Sequence, residues 1–237
     1  RRDYVANVSH ELRTPLTAMR ALIEPLRDGL VKTEEQRQQI YDVVLRETMR
    51  LSRLVNDMLE LSRLQSGTAS LSRSVFAPLP LFNLIHETYS AYAEDYQQTF
   101  VYDVPEDLPS VWGNPDRTQQ VLIVLLDNAF KYTPEGGVVT LSACAEGDVV
   151  RVRVRDTGVG IPAADLPHVF DRFYKVDKSH HSKGTGLGLA IAYEIMKHLG
   201  EEMSVTSEPG QGSCFTFTLH IAQGSAEKTA EPPKAPA

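Results

Sequence analysis

The stretch LLDNAFKYTPEGG, residues 125–137, indicates the end of a helix that presents polar side chains to a cleft. The helix is expected over about 115–132, with Asn128 and Lys131 three residues apart and Tyr132 one turn after Asn128. Residues at these spacings share a helix face, so an amide oxygen and an ammonium group can point into one cleft. Such a pair suits a metal ion and phosphates. The same letters also fit a solvent-facing helix end followed by a glycine-rich turn.

A second polar position follows in RVRVRDTGVGIP, residues 151–162. Asp156 ends a predicted strand there and is followed by Gly158 and Gly160, which let the backbone come close to a ligand. The carboxylate can accept a hydrogen bond from an amino group, and the exocyclic amine of adenine is a natural donor. Taken alone, these residues are typical of a plain strand-to-loop turn.

A third stretch, GTGLGLAIAYEIM at residues 184–196, is a glycine-rich loop that runs into an amphipathic helix. Its backbone amides and the helix N-terminus can hold phosphate oxygens. A dinucleotide-binding Rossmann fold would need a strand immediately before this loop. Residues 170–183, FDRFYKVDKSHHSK, do not have a strand pattern, so the Rossmann interpretation fails.

These stretches belong to a domain of mixed α/β pattern that is expected over residues 75–222. The periodicities predict helices over about 80–96, 115–132 and 187–199, and strands near 99–103, 138–146, 148–156, 202–208 and 213–221. A Gly-Asp pair joins the two central strands and predicts an antiparallel hairpin. Residues 223–237, rich in Ala, Pro, Glu and Lys, are expected to be a disordered tail.

The first part of the chain has the pattern of an α-helical hairpin. VANVSHELRTPLT, residues 5–17, begins a run of apolar residues at steps of three and four that continues to about residue 28. A capping box from Thr33 to Gln36 then starts a second long helix. Because two helices cannot cover their own apolar seam, two copies are expected to pair into a dimeric four-helix bundle. The hairpin is assigned residues 1–66 and the linker residues 67–74.

Composition limits the classes of partner. The 237 residues carry a formal net charge of -7, which argues against nucleic-acid binding. Cys144 and Cys214 lack neighbours at metal-ligand spacing, so no disulfide framework or zinc site is indicated, and a reducing, cytoplasmic setting is expected. The longest aliphatic run, residues 121–126, is far shorter than the roughly 18 residues that span a bilayer, so no membrane contact is expected in this fragment. The chain begins without Met inside a helical pattern, and we expect a longer protein with a membrane anchor upstream.

Five short motifs occur along the chain: SHELRTPLT at 9–17, DNAFKYT at 127–133, DTGVG at 156–160, FDRFYK at 170–175 and GTGLGLA at 184–190. In this order and spacing they resemble the histidine, asparagine, first glycine, phenylalanine and second glycine boxes of the two-component sensor histidine kinases. The resemblance spans about residues 1–220. It implies an ATP-binding domain of the superfamily shared with gyrase, the mismatch-repair ATPases and a heat-shock chaperone.

The resemblance implies that the second domain binds ATP and Mg²⁺. Asn128 would coordinate the metal ion, with Tyr132 beside it in the same cleft. Lys131 and Lys175 would approach the phosphates. Asp156 would hold the adenine amine.

The family pattern also gives roles to the glycines and to an aromatic pair. Gly158 and Gly160 would shape the adenine pocket. Phe170 and Phe173 would anchor the loop in front of the triphosphate, or they are ordinary core residues. The lid over the triphosphate would be hinged at three glycines: Gly184, Gly186 and Gly188.

One position departs from the family pattern. The family usually has a further asparagine one turn before Asn128, where this chain has Val124. The metal shell is therefore expected to depend more on Asn128 and on water. In the ATP hydrolases of the superfamily this position resembles a glutamate that activates water, and valine cannot act as a base. Hydrolysis by that route is not expected.

In the first domain, the resemblance makes His10 the acceptor of the phosphoryl group. A neutral imidazole attacks through one ring nitrogen, and Glu11 is the candidate to accept a hydrogen bond from the other. The family pattern implies that Thr14 orients a water molecule for dephosphorylation of the partner protein. Without the ATP site, His10 would be interpreted as an inert surface residue and Thr14 as an ordinary helix residue.

Three residues are expected to disturb the regularity of the hairpin. Pro15 lacks an amide proton and its ring clashes with the carbonyl group of Glu11, so the helix is expected to bend at the phosphate acceptor. Pro25 is expected to disturb the lower bundle in the same way. Glu47 lies on the apolar seam of the second helix and is expected to weaken it locally.

The sequence thus predicts the catalytic core of a dimeric sensor histidine kinase. It would phosphorylate His10 with ATP, pass the phosphoryl group to an aspartate of a response regulator, and dephosphorylate that regulator. The regulator is expected to dock below His10, near Met19 or Arg20. Two alternatives remain, an ATP hydrolase of the same superfamily and a degenerate kinase that serves as a dimeric signalling scaffold.

Overall fold

The structure, a computed structural model, describes residues 2–67, 71–176 and 184–222. The expected disordered tail at 223–237 lies outside these residues, as do part of the linker and part of the loop before the second glycine box.

The predicted hairpin consists of two helices, α1 (Arg2–Arg27) and α2 (Glu34–Gln65). Thr33 caps α2, and its side chain accepts a hydrogen bond from Gln36 N at 3.2 Å, which is one of the two bonds of a capping box. α1 continues through Pro15 and Pro25, so the lower hairpin remains helical despite the second proline. A bend of the α1 axis at Pro15 stays a prediction.

The hairpin of a single chain leaves large apolar side chains exposed. We call this group the apolar band, and its members are Leu16, Ile23, Leu30, Tyr41, Leu45, Met49, Val55 and Leu59. Burial of a side chain of this size is favourable by roughly 1.5–3 kcal/mol. The band therefore favours association with another apolar surface.

The second domain combines two sheets with three α-helices among the described residues. Its elements are β1 (Ser74–Phe76), α3 (Pro78–Asp95), β2 (Thr99–Asp103), β3 (Val111–Gly113), α4 (Pro115–Tyr132), β4 (Val138–Glu146), β5 (Val149–Asp156), α5 (Gly188–His198), β6 (Met203–Glu208) and β7 (Gly212–His220). The main sheet has the order β2-β4-β5-β7-β6. β2 is parallel to β4 and the other pairs are antiparallel, which confirms the predicted β4–β5 hairpin.

The helices α3, α4 and α5 cover one face of the main sheet. Val150, Val152 and Val154 of β5 are buried in the same apolar cluster as Phe82 of α3 and Leu125 of α4. The intervening residues of β5 point to the opposite, more exposed face. Because alternate residues of the strand face the helices, the sheet and the helices form an α/β sandwich with one core.

Two short strands were not predicted from the sequence. β1 and β3 pair antiparallel, with Val75 opposite Trp112. Each strand has only three residues, which is too short for a period of two to be recognised. β1 leads the chain from the linker into the domain.

The C-terminal half of α2 packs against the second domain. Leu61 and Leu64 are buried and belong to its core. Glu60 of α2 accepts hydrogen bonds from Gln120 Nε2 at 3.0 Å and forms an ion pair with Arg117, both on α4. These contacts fix the second domain beside the hairpin. Across the three described segments, no helix is both long enough and apolar enough to cross a bilayer.

Candidate functional site

Asp156, at the end of β5, is a buried carboxylate with one oxygen engaged by the backbone. Its Oδ1 accepts hydrogen bonds from Gly158 N at 2.9 Å and from Ser213 N at 3.2 Å. Burial raises the pKa of Asp156, and the two amides partly oppose this rise. Because both bonds use Oδ1, Oδ2 is left to accept a hydrogen bond from a ligand.

Three glycines allow the backbone to close around Asp156. A Cβ atom on Gly158 would overlap the carbonyl oxygen of Tyr132 and lie 2.8 Å from Asp156 Oδ1. Gly160 has a φ of +70°, and a Cβ there would overlap the backbone of Glu208. A Cβ on Gly212 would overlap the carbonyl group of Asp156 itself. The glycines of the first glycine box are therefore needed because no side chain fits at their positions, as well as for the geometry of the turn.

Gly212 and Ser213 were not identified from the sequence. Ser207 Oγ donates to Gly212 O at 2.7 Å and accepts from Ile161 N at 2.8 Å, which ties the start of β7 to the loop after Asp156. The only signal was the Gly-Gln-Gly-Ser sequence before β7, which is also an ordinary turn between two strands. The contact of Ser213 with Asp156 joins two residues that are 57 positions apart in the sequence.

Asn128 lies on α4, half-buried, with its amide group oriented by the helix. Its Nδ2 donates to Val124 O at 2.9 Å, so Oδ1 is the atom available to a ligand. An amide oxygen is a suitable ligand for Mg²⁺, which takes few protein ligands and uses substrate phosphates and water for the rest. The described residues contain no group of three or more His, Cys, Asp or Glu side chains that could hold a metal ion. The available Oδ1 of Asn128 fits a Mg²⁺ ion that arrives with a nucleotide and takes its other ligands from phosphates and water.

Lys131 and Tyr132 form an exposed pair at the end of α4. Lys131 Nζ donates to Tyr132 Oη at 2.8 Å. The same ammonium group lies 3.3 Å from the position that a Cβ atom on Gly184 would occupy. The asparagine box and the second glycine box, 53 residues apart by these two positions, thus lie next to each other in the fold.

The phenylalanine box packs on the second glycine box and on α5. Phe173 N donates to Gly186 O at 2.8 Å, and both residues have positive φ, 62° and 71°. Phe170 stacks on Tyr193 of α5 with ring centroids 4.9 Å apart. Phe170 thus packs against a helix, as an ordinary core residue would. Phe173 contacts the glycine-rich loop instead.

α5 begins at Gly188, and no side chain caps this end. A Cβ on Gly188 would lie 3.4 Å from Val124 Cγ1, so the first turn of α5 lies beside the turn of α4 that carries Asn128. Uncapped amides at a helix N-terminus favour anions. Thr185, in the loop before α5, donates through Oγ1 to Asp57 of α2 at 3.0 Å, and burial raises the pKa of Asp57.

In the hairpin, His10 is exposed on α1, and its role as phosphate acceptor stays a prediction. Thr14 Oγ1 donates to His10 O at 3.1 Å, which is a common contact within a helix. Glu11 Oε2 lies 3.1 Å from Lys175 Nζ. Lys175 therefore contacts the residue next to His10, while its expected contact with phosphate stays a prediction.

The two residues expected at the regulator surface differ in exposure. Arg20 is exposed and pairs with Glu24 one turn later at 2.6 Å. Met19 is half-buried, with Thr48 Oγ1 of α2 3.5 Å from its Sδ. Arg20 is thus the outward-facing member of the pair.

Comparison with known proteins identifies both parts of the chain. Residues 1–67 match the His Kinase A (phospho-acceptor) domain, and residues 113–223 match the histidine kinase-, DNA gyrase B- and HSP90-like ATPases. Over 223 residues the chain is 41% identical to the sensor histidine kinase WalK of Bacillus subtilis (strain 168), which covers 92% of this chain and 36% of that protein. The chain thus spans about a third of the length of this relative.

Solved structures agree with this match. Full-length ShkA in complex with AMPPNP superposes with a TM-score of 0.69 at 31% identity, over 94% of this chain and 47% of that one. The histidine kinase ThkA in complex with the response regulator TrrA superposes with a TM-score of 0.77 over 93% of this chain and 61% of that one, and at 23% identity it shows the fold alone. Since known domains match both halves in the order seen here, the chain belongs to the sensor histidine kinase family, as a phosphoacceptor hairpin joined to an ATP-binding domain.

Proposed function

We propose that this chain transfers the γ-phosphoryl group of ATP to His10 and then to an aspartate of a response regulator. The ion pair of Lys175 with Glu11, at 3.1 Å, carries the proposal. It joins the loop in front of the nucleotide site to the residue next to the acceptor histidine. A nucleotide domain with no link to His10 would have no need for this contact.

The nucleotide would bind between α4, α5 and the loop after β5. Its adenine amine would donate to Asp156 Oδ2, and its phosphates would lie toward Lys131 and the uncapped first turn of α5. Asn128 would offer Oδ1 to Mg²⁺, which when bound neutralises charge on the β- and γ-phosphate oxygens. Lys175 would reach the γ-phosphate from the side of His10.

His10 would attack the γ-phosphorus through one ring nitrogen. The phosphorus–nitrogen bond forms as the bond from phosphorus to the β,γ-bridging oxygen breaks, and ADP leaves with that electron pair. The other ring nitrogen keeps its proton, and Glu11 would accept its hydrogen bond and compensate the positive charge that develops on the ring. The phosphohistidine would then be attacked by a carboxylate of the regulator.

The active form would be a homodimer that docks a regulator on the hairpin. The apolar band supports dimerisation, because a second copy would cover it and form the four-helix bundle. ThkA, which shares this fold, has been solved in complex with the response regulator TrrA. In this chain the exposed Arg20 would lie at the docking surface for the regulator. A membrane anchor in the rest of the protein stays a prediction.

Dephosphorylation of the regulator would depend on Thr14. Its hydroxyl group is exposed one turn after His10, where it could exchange its bond to His10 O for a water molecule. Thr14→Ala should leave phosphorylation of His10 unchanged and slow loss of phosphate from the regulator. Equal rates of dephosphorylation in variant and wild type would contradict this role.

The experiment that tests the proposal uses γ-labelled ATP, Mg²⁺ and the purified chain. We expect a phosphoprotein that is labile in acid and stable in base, that is absent in His10→Gln, and that is absent in Asn128→Ala. Arg46→Ala, an exposed arginine of α2, is the control and should label like the wild type. Steady release of phosphate that persists in His10→Gln would favour the alternative of an ATP hydrolase. A wild type that does not bind nucleotide would favour the alternative of a signalling scaffold.

A further inference from the structure

Four partly buried charges meet between α1, α2 and the loop after Phe173: those of Glu11, Glu47, Arg50 and Lys175. Lys175 Nζ lies 3.1 Å and Arg50 Nη2 lies 3.9 Å from Glu11 Oε2. Arg50 Nη1 lies 3.7 Å from Glu47 Oε2. The four side chains are only 20–31% exposed, so salt and solvent screen these pairs less than at an open surface. Two negative and two positive charges balance.

Helix geometry explains why Glu11 needs support from outside α1. Adjacent residues of a helix point about 100° apart, so sequence position alone does not direct Glu11 toward His10. Both cations contact Oε2, and no ion pair in the described part of the chain uses Oε1. Oε2 is therefore the anchored oxygen, and Oε1 is available to accept a hydrogen bond from His10.

The two cations differ in the part of the molecule that carries them. Lys175 belongs to the nucleotide domain, and under the proposed function it turns toward the phosphates when ATP binds. Arg50 belongs to α2, which packs along α1 within the hairpin. Glu47, one turn earlier on α2, forms an ion pair with the other terminal nitrogen of Arg50 at 3.7 Å. Glu47, which interrupts the apolar seam of α2, thus has a charged partner within the hairpin.

We infer that Arg50 is a positioning residue for phosphorylation of His10. It holds Oε2 of Glu11 while Lys175 exchanges between Glu11 and phosphate, and Glu47 holds Arg50 in place. This inference rests on the proposed function, because it requires that Glu11 assists His10.

The test measures the rate of His10 labelling from γ-labelled ATP, as a function of ATP concentration, in the purified chain. Arg50→Ala should lower the rate at saturating ATP about tenfold, within the range of coupling between contacting charges, and leave the KM for ATP unchanged. Arg50→Lys should restore most of the rate, and Glu47→Gln should cause a smaller loss. The matched control is Arg46→Ala, one turn earlier on α2, which should label at the wild-type rate.

A double variant distinguishes positioning from a general structural role. If Arg50 acts through Glu11, Arg50→Ala adds no further loss to Glu11→Gln, whereas independent effects multiply. The inference would be overturned by effects of the two substitutions that multiply, by a raised KM for ATP in Arg50→Ala, or by a wild-type labelling rate in Arg50→Ala. In each of these cases, labelling of His10 in the wild type would still support the proposed function. Should Arg50→Ala not fold, Glu47→Gln combined with Glu11→Gln gives the same comparison. Failure of the wild type to label His10 would overturn both.

Discussion

Replacement of Asp156 by asparagine changes the nucleotide site at a single atom. Oδ1 accepts the two backbone bonds, from Gly158 N and Ser213 N, and an asparagine oxygen can accept both. The amide nitrogen then takes the position of Oδ2 and presents a donor to the adenine amine, which is also a donor. Loss of a hydrogen bond to a charged acceptor costs about 1.5–3 kcal/mol, and the unmatched donor adds about 1 kcal/mol or more. We expect a total of about 3 kcal/mol, or roughly 100-fold weaker binding of ATP.

The same substitution should not destabilise the fold. Burial raises the pKa of Asp156, so the folded protein binds this proton more tightly than the unfolded chain does. The group therefore contributes stability below its ordinary pKa of about 4, and that contribution is lost as the pH rises through the raised value. Asparagine does not titrate. From about pH 4 upward the wild type should lose free energy of unfolding relative to the variant.

Two assays check this prediction. Isothermal titration calorimetry with a non-hydrolysable ATP analogue gives the affinity, and urea unfolding between pH 4 and 8 gives the stability. Asp148→Asn, in the exposed β4–β5 turn, is the matched control and should change neither quantity. An affinity of Asp156→Asn within threefold of the wild type would refute the assignment of Oδ2 to the adenine amine. A variant less stable than the wild type at neutral pH would refute the account of burial.

Three further predictions concern the packing at Gly158, the chain to which phosphate is transferred, and the proline inside α1. Gly158→Ala should lower the free energy of unfolding by about 3 kcal/mol, because the added Cβ overlaps a carbonyl oxygen. In the control, Gly113→Ala, the added Cβ meets only an aromatic carbon at 3.4 Å, so the free energy of unfolding should change little. Thermal unfolding that shows the same loss of stability in both variants would contradict this prediction. Because Lys175 contacts Glu11 of the same chain, mixed dimers of His10→Gln with Asn128→Ala should not be labelled by γ-labelled ATP, and label on the second chain would mean transfer across the dimer. Pro15→Ala should shift the ratio of kinase to phosphatase activity by restoring the hydrogen bond to Glu11 O, and an unchanged ratio would refute a hinge at this position.

Regular elements of the fold were predictable because their patterns are local. The β4–β5 hairpin alternates buried and exposed residues along its length, and α4 has both a capping Asn114 and a proline at its first position. The strands β1 and β3 carry no such pattern, since three residues cannot define a period.

Site residues were predictable where a motif required an unusual residue. Gly160 is needed for its positive φ, and Asp156 for a carboxylate at the end of a buried strand. The contacts that join distant segments were not predictable. Lys175 and Glu11 are 164 residues apart, and periodicity contains no information on which surfaces of two domains meet. For the same reason, Arg50 had the appearance of an ordinary charged residue of α2 before its distance to Glu11 was known.

The central claim is that the γ-phosphoryl group of ATP is transferred to the imidazole of His10. It is tested most directly by tandem mass spectrometry of the chain after incubation with ATP and Mg²⁺, with digestion and separation at alkaline pH to preserve phosphohistidine. The account predicts a phosphorylated peptide that contains residues 5–17 and carries the phosphate on His10. Phosphate on another residue, or ADP formation with no phosphopeptide, would contradict it.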